Sequence, residues 1–485
     1  MSVTGGRRID PARQSPIARR RRDRIIAAGI AVVVLVAGLL IYLTSDGRAT
    51  TDATGPAVPA PSTAAAPPAA LAERWTLTTD PALGAVASPY GVVVTADTTT
   101  VYGHDATTGA LRWSYGRSNL PLCAVGSGDV DAPGVTRRGV VRGVMVVSEE
   151  GGWCSQVMLL DPDTGERHYV RTSPDQPGGA LVFGGPYAGW VGPTLTELWR
   201  DDLVRTIQYG DEPAPTKPNA QRLGCVFTDL AVADRQFATV EHCTDSTYAQ
   251  VVINWADPGS APDKPADQDV FKHTPRATID TGAQFARIVG ITADSVAVLL
   301  PKSDGAEVVV YDTSGQVQSR ADVTVPAAAI ATADRLVDGR VVPTPAVRAG
   351  AQRYSLIGSS LLEVTTASSQ RTAPATSTSP AGTLTPAPGS TVPTSEALAP
   401  STVTVSDLQA GWVHADVTGL PAVYPDQLLV PVAAGLQPVT RSDGLDDPSR
   451  PLLSVDRGGW AGRVDVSAVG DVVVETRGDQ VVGLS

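Results

Sequence analysis

The sequence predicts an all-β fold: a β-propeller of about eight four-stranded blades, with seven as the alternative count, preceded by one transmembrane helix. Three observations predict it. Short runs rich in Val, Leu and Ile recur along the chain between turns rich in Gly, Asp and Pro, the pattern of many short strands. The stretch 91–115, G-V-V-V-T-A-D-T-T-T-V-Y-G-H-D-A-T-T-G-A-L-R-W-S-Y, reads as three strands and two tight turns, and later segments repeat it in weaker form. The C-terminus ends on three strands, 464–470, 471–478 and 479–485, while 73–79 (E-R-W-T-L-T-T) matches 111–117 (L-R-W-S-Y-G-R), the last strand of the opening unit. A last-strand sequence placed before the first complete unit supplies the fourth strand missing at the C-terminus. The ring thereby closes with no long open sheet edge. The chain has 485 residues with 47 Gly and 39 Pro, long for one ordinary domain but ordinary for a repeat architecture.

Residues 1–24 form a basic tail with eight Arg and two Asp, a charge of +6, which leaves −18 of the net −12 on the remainder. Residues 25–43 (I-I-A-A-G-I-A-V-V-V-L-V-A-G-L-L-I-Y-L) are an uncharged apolar run. At ~1.5 Å per residue such a run crosses a ~30 Å hydrocarbon core, and it exceeds the ~7–15 apolar residues of a cleaved signal peptide. The arginines before it, set against Asp46 and Arg48 after it, place the N-terminus in the cytoplasm and the rest outside by the positive-inside rule. The expectation is a single-pass cell-membrane protein with an uncleaved signal anchor. Residues 44–72, dominated by Pro, Ala, Thr and Ser, read as an extended spacer lifting the domain off the membrane. Residues 73–485 form the extracytoplasmic propeller. Its acidic charge excludes the basic face that nucleic-acid binding needs.

After the opening unit, further units run over about 122–172, 179–210, 223–273, 284–325, 327–371 and 402–455, and the closing unit makes eight. The low-complexity, Pro/Thr/Ser-rich residues 372–400 interrupt the pattern and read as a disordered loop insert. Asp105–Gly109 and Asp161–Gly165 share an Asp-x-x-Thr-Gly turn. Asp caps backbone N–H groups ahead of it, and Gly takes the positive φ that the turn requires.

The four cysteines, Cys123, Cys154, Cys225 and Cys243, allow three pairings. A hairpin turn centred near Asp234 sets Cys225 opposite Cys243. Cys123 opens the first strand of the second unit and Cys154 precedes its third, so the pairs Cys123–Cys154 and Cys225–Cys243 tie one blade each, contributing ~2–4 kcal/mol apiece. No C-x-x-C spacing points to zinc.

The turn-plus-tryptophan run Val101 to Tyr115, with Asp105, Thr108, Gly109 and Trp113, resembles the repeat of the pyrroloquinoline-quinone-like (quinoprotein) β-propellers. The second unit keeps Asp161, Thr164 and Gly165, and the fifth keeps Asp312 and Gly315. The anchor–linker–propeller layout also resembles a group of membrane-anchored actinobacterial propellers. Family members with quinone chemistry stack the cofactor beneath a Trp, hold Ca²⁺ with a carboxylate and an Asn, and often set a disulfide of adjacent cysteines beside it. This chain has no adjacent Cys pair, and no Ca²⁺ ligands map onto it residue by residue. Non-catalytic members that act as envelope scaffolds resemble it better.

No catalytic, cofactor-binding or metal-binding residue is assigned, and no cofactor is expected. His104, His168, His242, His273 and His414 lack metal or protease spacing. Glu149 and Glu150 read as a solvated turn. Asp443, Asp446 and Asp447 cluster in one loop without the ordered spacing of a calcium loop. The favoured expectation is a non-enzymatic, membrane-anchored binding or scaffold module in the cell envelope, engaging a protein or glycan partner. The alternatives are a quinone-dependent oxidoreductase, a glycan-active enzyme, or a sensor acting inward through a partner.

Overall fold

Eight antiparallel sheets make up the body of the chain in the computed structural model, which describes residues 16–62, 64–128, 143–212, 222–257, 275–372 and 402–485. Blade 1 runs from Val86–Ser88 through Val92–Ala96 and Thr100–Asp105 to Leu111–Arg117. Blades 2 to 5 begin at Leu122–Ser127, Ala180–Gly184, Cys225–Val232 and Arg287–Ile291 and end at Arg167–Thr172, Arg205–Gly210, Ala277–Asp280 and Val317–Val323. Blades 6 and 7 begin at Ala346–Ala349 and Ala422–Val423 and end at Thr402–His414 and Leu453–Ser454. Blade 8 is Val464–Val469, Val472–Arg477 and Gln480–Leu484, completed by Glu73–Thr78 from the other end of the chain. The register Thr78↔Gln480 to Glu73↔Leu484 closes the ring.

The first strand of each blade lies nearest the axis and the fourth lies outermost. Middle strands such as Val92–Ala96 and Tyr187–Val191 are buried along their whole length. Both faces of a blade pack on neighbours, so these strands are continuous apolar runs rather than alternating ones. Outer strands such as Arg167–Thr172 are largely exposed and polar. The core is divided into eight apolar layers, one between each adjacent pair of blades, including blade 8 against blade 1. That decides the count in favour of eight over seven.

One contact recurs between blades. A Trp on an outer strand packs on the glycine turn that joins the third and fourth strands of the next blade. Trp113 of blade 1 donates Nε1–H to Pro162 O of blade 2 at 3.2 Å, and a Cβ on Gly165 (φ +74°) would stand 2.7 Å from its ring. Trp75 of blade 8 donates to Ala106 O of blade 1 at 3.0 Å over Gly109. Trp412 of blade 6 donates to Arg441 O of blade 7 at 3.1 Å over Gly444. Asp105 and Asp161 pin their turns by accepting from backbone N–H groups two and three residues on.

The disulfides are Cys123–Cys154 and Cys225–Cys243, each within one blade, with Cα–Cα separations of 5.9 and 3.9 Å. Cys225 lies directly opposite Cys243 in the register.

Several boundaries differ from the sequence reading. Unit four extends past 273 to the strand Ala277–Asp280. Residues 327–345 do not begin blade 6: they form a helix, α3 in the count below, and a loop over the channel. Blade 6 is built instead from residues 346–414, and its third and fourth strands are a long hairpin, Ser360–Thr372 with Thr402–His414, flanking most of the insert. Residues 402–414 therefore belong to blade 6, not to the seventh unit. Most of the 372–400 insert lies outside the described residues.

At the N-terminus, helix α1 (Pro16–Leu43) is longer than the apolar run and begins within the basic tail. Its apolar window has a mean hydropathy of 2.8 and none of it is buried, so it is long and apolar enough to cross a membrane. A short helix α2 (Asp46–Ala49) follows, and α3 spans Ala327–Ala333. The spacer reading of 44–72 meets a docked chain. Residues Thr50–Ala53 pair antiparallel with Leu111–Arg117 as a fifth strand of blade 1. Residues 54–72 then form a strap: Gly55 N–H donates to Thr164 O, Val58 N–H to Asp163, Arg450 donates to Pro67 O, and Ala72 pairs with Ser485.

The Trp–glycine contacts give a direct test. Trp113→Ala removes a fully buried ring and is expected to cost about 3–5 kcal/mol. Gly165→Ala, strained at positive φ and crowded by that ring, lowers the thermal midpoint without removing any side chain. Thermal unfolding followed by near-UV circular dichroism checks both; an unchanged midpoint for Gly165→Ala refutes the interlock.

Candidate functional site

Alternating chain direction gives the ring two unlike faces. On one face lie the turns joining first to second and third to fourth strands, and the strap crosses it. Pro61 touches Gly91 and Gly470, the inner turns of blades 1 and 8. On the other lie the blade-to-blade connections. The largest described one, residues 324–345 with α3, leaves blade 5, reaches across the channel to the connection between blades 2 and 3 through Val341 N–H to Gly178 O (2.8 Å), and returns to blade 6. These are the strap face and the plug face.

Two buried acids hold the plug. Asp229, on the first strand of blade 4, accepts from Thr344 N–H (2.9 Å), Thr344 Oγ1 (2.6 Å) and Ile288 N–H (2.9 Å). Beside it Arg287, 1% exposed, donates to Thr344 Oγ1, Thr228 O, Ala333 O and Val342 O. Asp334, just after α3, accepts from Ala286 N–H at 2.8 Å and from Thr228, and meets His242 Nε2 at 3.0 Å. The hydrogen bond to Asp334 raises the His242 pKa, against burial, which lowers it.

Beneath the plug the channel encloses a cavity of about 450 Å³. Its wall comes from the inner strands of blades 2, 3, 4 and 6: Val125 and Ser127, Leu181 to Phe183, Leu230 to Val232, and Arg348 with Arg353, joined by Arg463. Arg348 and Arg353 are paired across two strands, and Arg463 donates to Asp465 at 2.9 Å.

The quinone group that the resemblance implies does not fit this lining. Among the described residues walling the cavity there is no Trp, Asn or carboxylate. Trp75 and Trp113, the tryptophans of the repeat, are spent between blades, their Nε1–H groups bonded to backbone carbonyls. No reaction step is derived through the cofactor.

The histidines and acids singled out in the sequence do not converge. His104 is half-buried between Thr95 Oγ1 and Gly109 O, 3.2 Å from each, and burial lowers its pKa. His168 lies 3.9 Å from Asp161 at the surface, and His414 meets Gly444 O at 3.1 Å. His273 lies outside the described residues. Asp443 and Asp447 cap their own loop at Leu445 and Ser449, while Asp446 lies 3.9 Å from His414. Glu150 accepts from Gln156 at the turn after Val144–Glu150.

The sequence reading missed a buried acidic pair between blades 2 and 3. Glu197, fully buried, is held by Arg205 at 3.0 Å, Trp199 Nε1–H at 2.7 Å, Gln208 at 3.2 Å and Ser173. Near it Asp175 is 1% exposed, and burial first, then the Glu197 charge, pushes its carboxyl well above the usual range. The available signal was an acid at the centre of T-L-T-E-L-W, a run otherwise apolar enough to be buried on both faces.

No family model matches the chain, and no curated protein matches it. Among solved structures it is similar to BamB from Moraxella catarrhalis, with 11% identity over 86% of this chain and 99% of that one and a TM-score of 0.40. It is similar to the computationally designed Ika8 protein, with 12% identity over 85% and 98% and a TM-score of 0.45. It is also similar to the C-terminal WD40 domain of Sif2, with 10% identity over 86% and 98% and a TM-score of 0.41.

The plug contact has a pH signature. A folded-state His pKa raised above ~6.5 contributes stability that is fully present below that value and is lost as pH rises through the raised pKa. Amide exchange in 327–345 is therefore expected to speed up as pH rises across that window, after correction for intrinsic exchange. His242→Gln flattens the dependence, and Asp334→Asn raises exchange at every pH. An unaltered profile in His242→Gln refutes the assignment.

Proposed function

We propose that this chain is a membrane-tethered, non-enzymatic binding module whose ectodomain presents the strap face of a closed propeller to a protein or glycan partner in the cell envelope. The observation that carries the reading is the long hairpin of blade 6. Its two strands stay paired from Leu361↔His414 to Thr372↔Thr402, whereas the second strand of the blade ends its pairing at Thr365. Residues 367–372 and their partners thus extend beyond the blade, roughly 20 Å of two-stranded ribbon at ~3.3 Å per residue. A ribbon that leaves the sheet has backbone edges with no role in closing the ring, and ribbons of this kind engage partners along their edges.

Other features support the same reading. The buried carboxylates Asp229, Asp334, Glu197 and Glu475 are each engaged by arginine, histidine or backbone N–H groups that join strands or hold the plug. The two disulfides and the apolar helix α1 support an extracytoplasmic, membrane-anchored ectodomain.

Replacing residues 367–407 with a two-residue turn shortens the arm and leaves the buried Leu408 in place. The shortened protein is expected to keep its thermal midpoint and to lose the envelope partner that the full-length anchored protein retains in cross-linking and co-purification from native membranes. Equal retention by both proteins refutes the role of the arm. Saturable binding of the quinone with Ca²⁺ to purified full-length protein at micromolar concentration favours the oxidoreductase reading instead.

A further inference from the structure

We propose that the plug face of the propeller lies against the same membrane that holds α1, with Trp153, Tyr248 and Trp460 set at the headgroup layer. The ring is then laid on the bilayer instead of being raised above it on a stalk. The proposal rests on the reading of α1 as a membrane span.

The tether between α1 and the ring is short and follows a fixed route. α1 ends at Leu43, and the next two residues bond back onto its last turn, Thr44 N–H to Leu40 O at 3.0 Å and Ser45 N–H to Tyr42 O at 3.3 Å. The residue after them is already docked. Asp46 meets Arg117 at 2.8 Å and Asn119 at 3.1 Å, and Ser118 N–H donates to Ala49 O at 2.9 Å. The fifth strand of blade 1 begins four residues on, at Thr50. Two residues reach at most about 7 Å fully extended, so the propeller has no slack with which to stand away from the end of the span.

The tether joins the ring at its plug face. Thr50 pairs with Arg117, and Ala53 pairs with Ser114. Arg117 is the last residue of the outer strand of blade 1, and that strand runs from the strap face to the plug face before entering the blade-to-blade connection at Ser118. The chain therefore arrives from α1 at the plug-face end of blade 1. It passes to the strap face only afterwards, along 54–72. A span that ends at the plug-face edge turns that face toward the bilayer.

The distribution of exposed aromatic side chains agrees, independently of the tether. The exposed large aromatic side chains on the turns and connections of the ring gather on the plug face. Trp153 (38% exposed) follows the turn between the second and third strands of blade 2, Tyr248 (43%) is in the corresponding turn of blade 4, and Trp460 (42%) is in the connection from blade 7 to blade 8. Val337 and Val342, exposed on the plug itself, add apolar surface. Trp and Tyr are the residues enriched where protein meets the membrane–water boundary, because their rings are apolar and their N–H and O–H groups keep polar partners. The turns and connections of this face carry both signs, Glu149, Glu150, Asp245, Asp304 and Asp338 against Lys302, Arg335, Arg340 and Arg463, so no strong net charge draws it to anionic headgroups. The tether and the aromatic side chains hold it there, and a neutral phosphatidylcholine bilayer suffices.

The test uses full-length protein in phosphatidylcholine vesicles. An environment-sensitive fluorophore is attached at one introduced cysteine at a time, in Trp153→Cys, Tyr248→Cys and Trp460→Cys, with the native cysteines held in their disulfides. Leu445→Cys, exposed in a third-to-fourth-strand turn of blade 7, reports the strap face. Quenching by a lipid carrying a nitroxide at its headgroup is expected to be several-fold stronger at the three plug-face positions than at Leu445→Cys. Equal quenching at all four, or stronger quenching at Leu445→Cys, overturns the proposal. Alkaline carbonate extraction of the same vesicles separates the two readings. Protein that stays with the lipid but shows no plug-face quenching refutes the orientation alone, and protein released from the lipid refutes the membrane span and the orientation with it.

Discussion

The contact between an outer-strand tryptophan and the glycine turn of the next blade governs much of this structure. A single four-stranded sheet cannot bury both of its faces, so each blade depends on its neighbours. Trp75, Trp113 and Trp412 join the layers by one device: an indole laid over a glycine that has no Cβ to hold it off, with its N–H bonded to a turn carbonyl. Where a large aromatic is not used, another residue takes the place. Ile279 of blade 4 meets Gly315 of blade 5. In blade 2 the equivalent position is Tyr169, which is exposed, and blade 3 offers the turn Asp201–Asp202–Leu203 in place of a glycine turn.

Closure of the ring and closure of the channel are separate matters. Pairing Glu73–Thr78 with Gln480–Leu484 completes the eighth sheet, and it requires the chain to return across the molecule. The strap of residues 54–72 is that return, and it explains why a Pro- and Ala-rich segment lies on the protein. The plug is built differently. Asp229 and Arg287, each 1% exposed, satisfy one another and the backbone of the plug at once. A buried ion pair of this kind contributes geometry more than net stability, since removing one partner strands the other charge in the core.

Much of the fold was legible because its signals are local. Apolar runs of five to eight residues, Asp-x-x-Thr-Gly turns and the early Trp75 strand identified the ring and its closing strand. The pairing of Cys225 with Cys243 was legible for a subtler reason. Val232 pairs with Phe237 at the tip of that hairpin, a symmetry that alone would set Cys225 one residue out of register, and a bulge between Phe227 and Asp229 restores it. The boundaries of blades 6 and 7 were not legible, because residues 402–414 pair with 360–372 across an insert that carries no periodic signal. The plug was hidden for a related reason: its partners Asp229, His242 and Arg287 lie 46 to 115 residues from the plug groups they bond.

The sequence by itself determined that the chain is a closed ring of β-blades behind one apolar helix, since periodicity, turn chemistry and a displaced last strand are written in neighbouring residues. Only the tertiary structure decided what the ring does with its openings and its tether. It docked the expected spacer as a fifth strand and a strap, seated residues 327–345 over the channel, and brought α1 to the plug-face edge of blade 1. Those outcomes depend on hydrogen bonds between segments far apart in the chain, which no local pattern records.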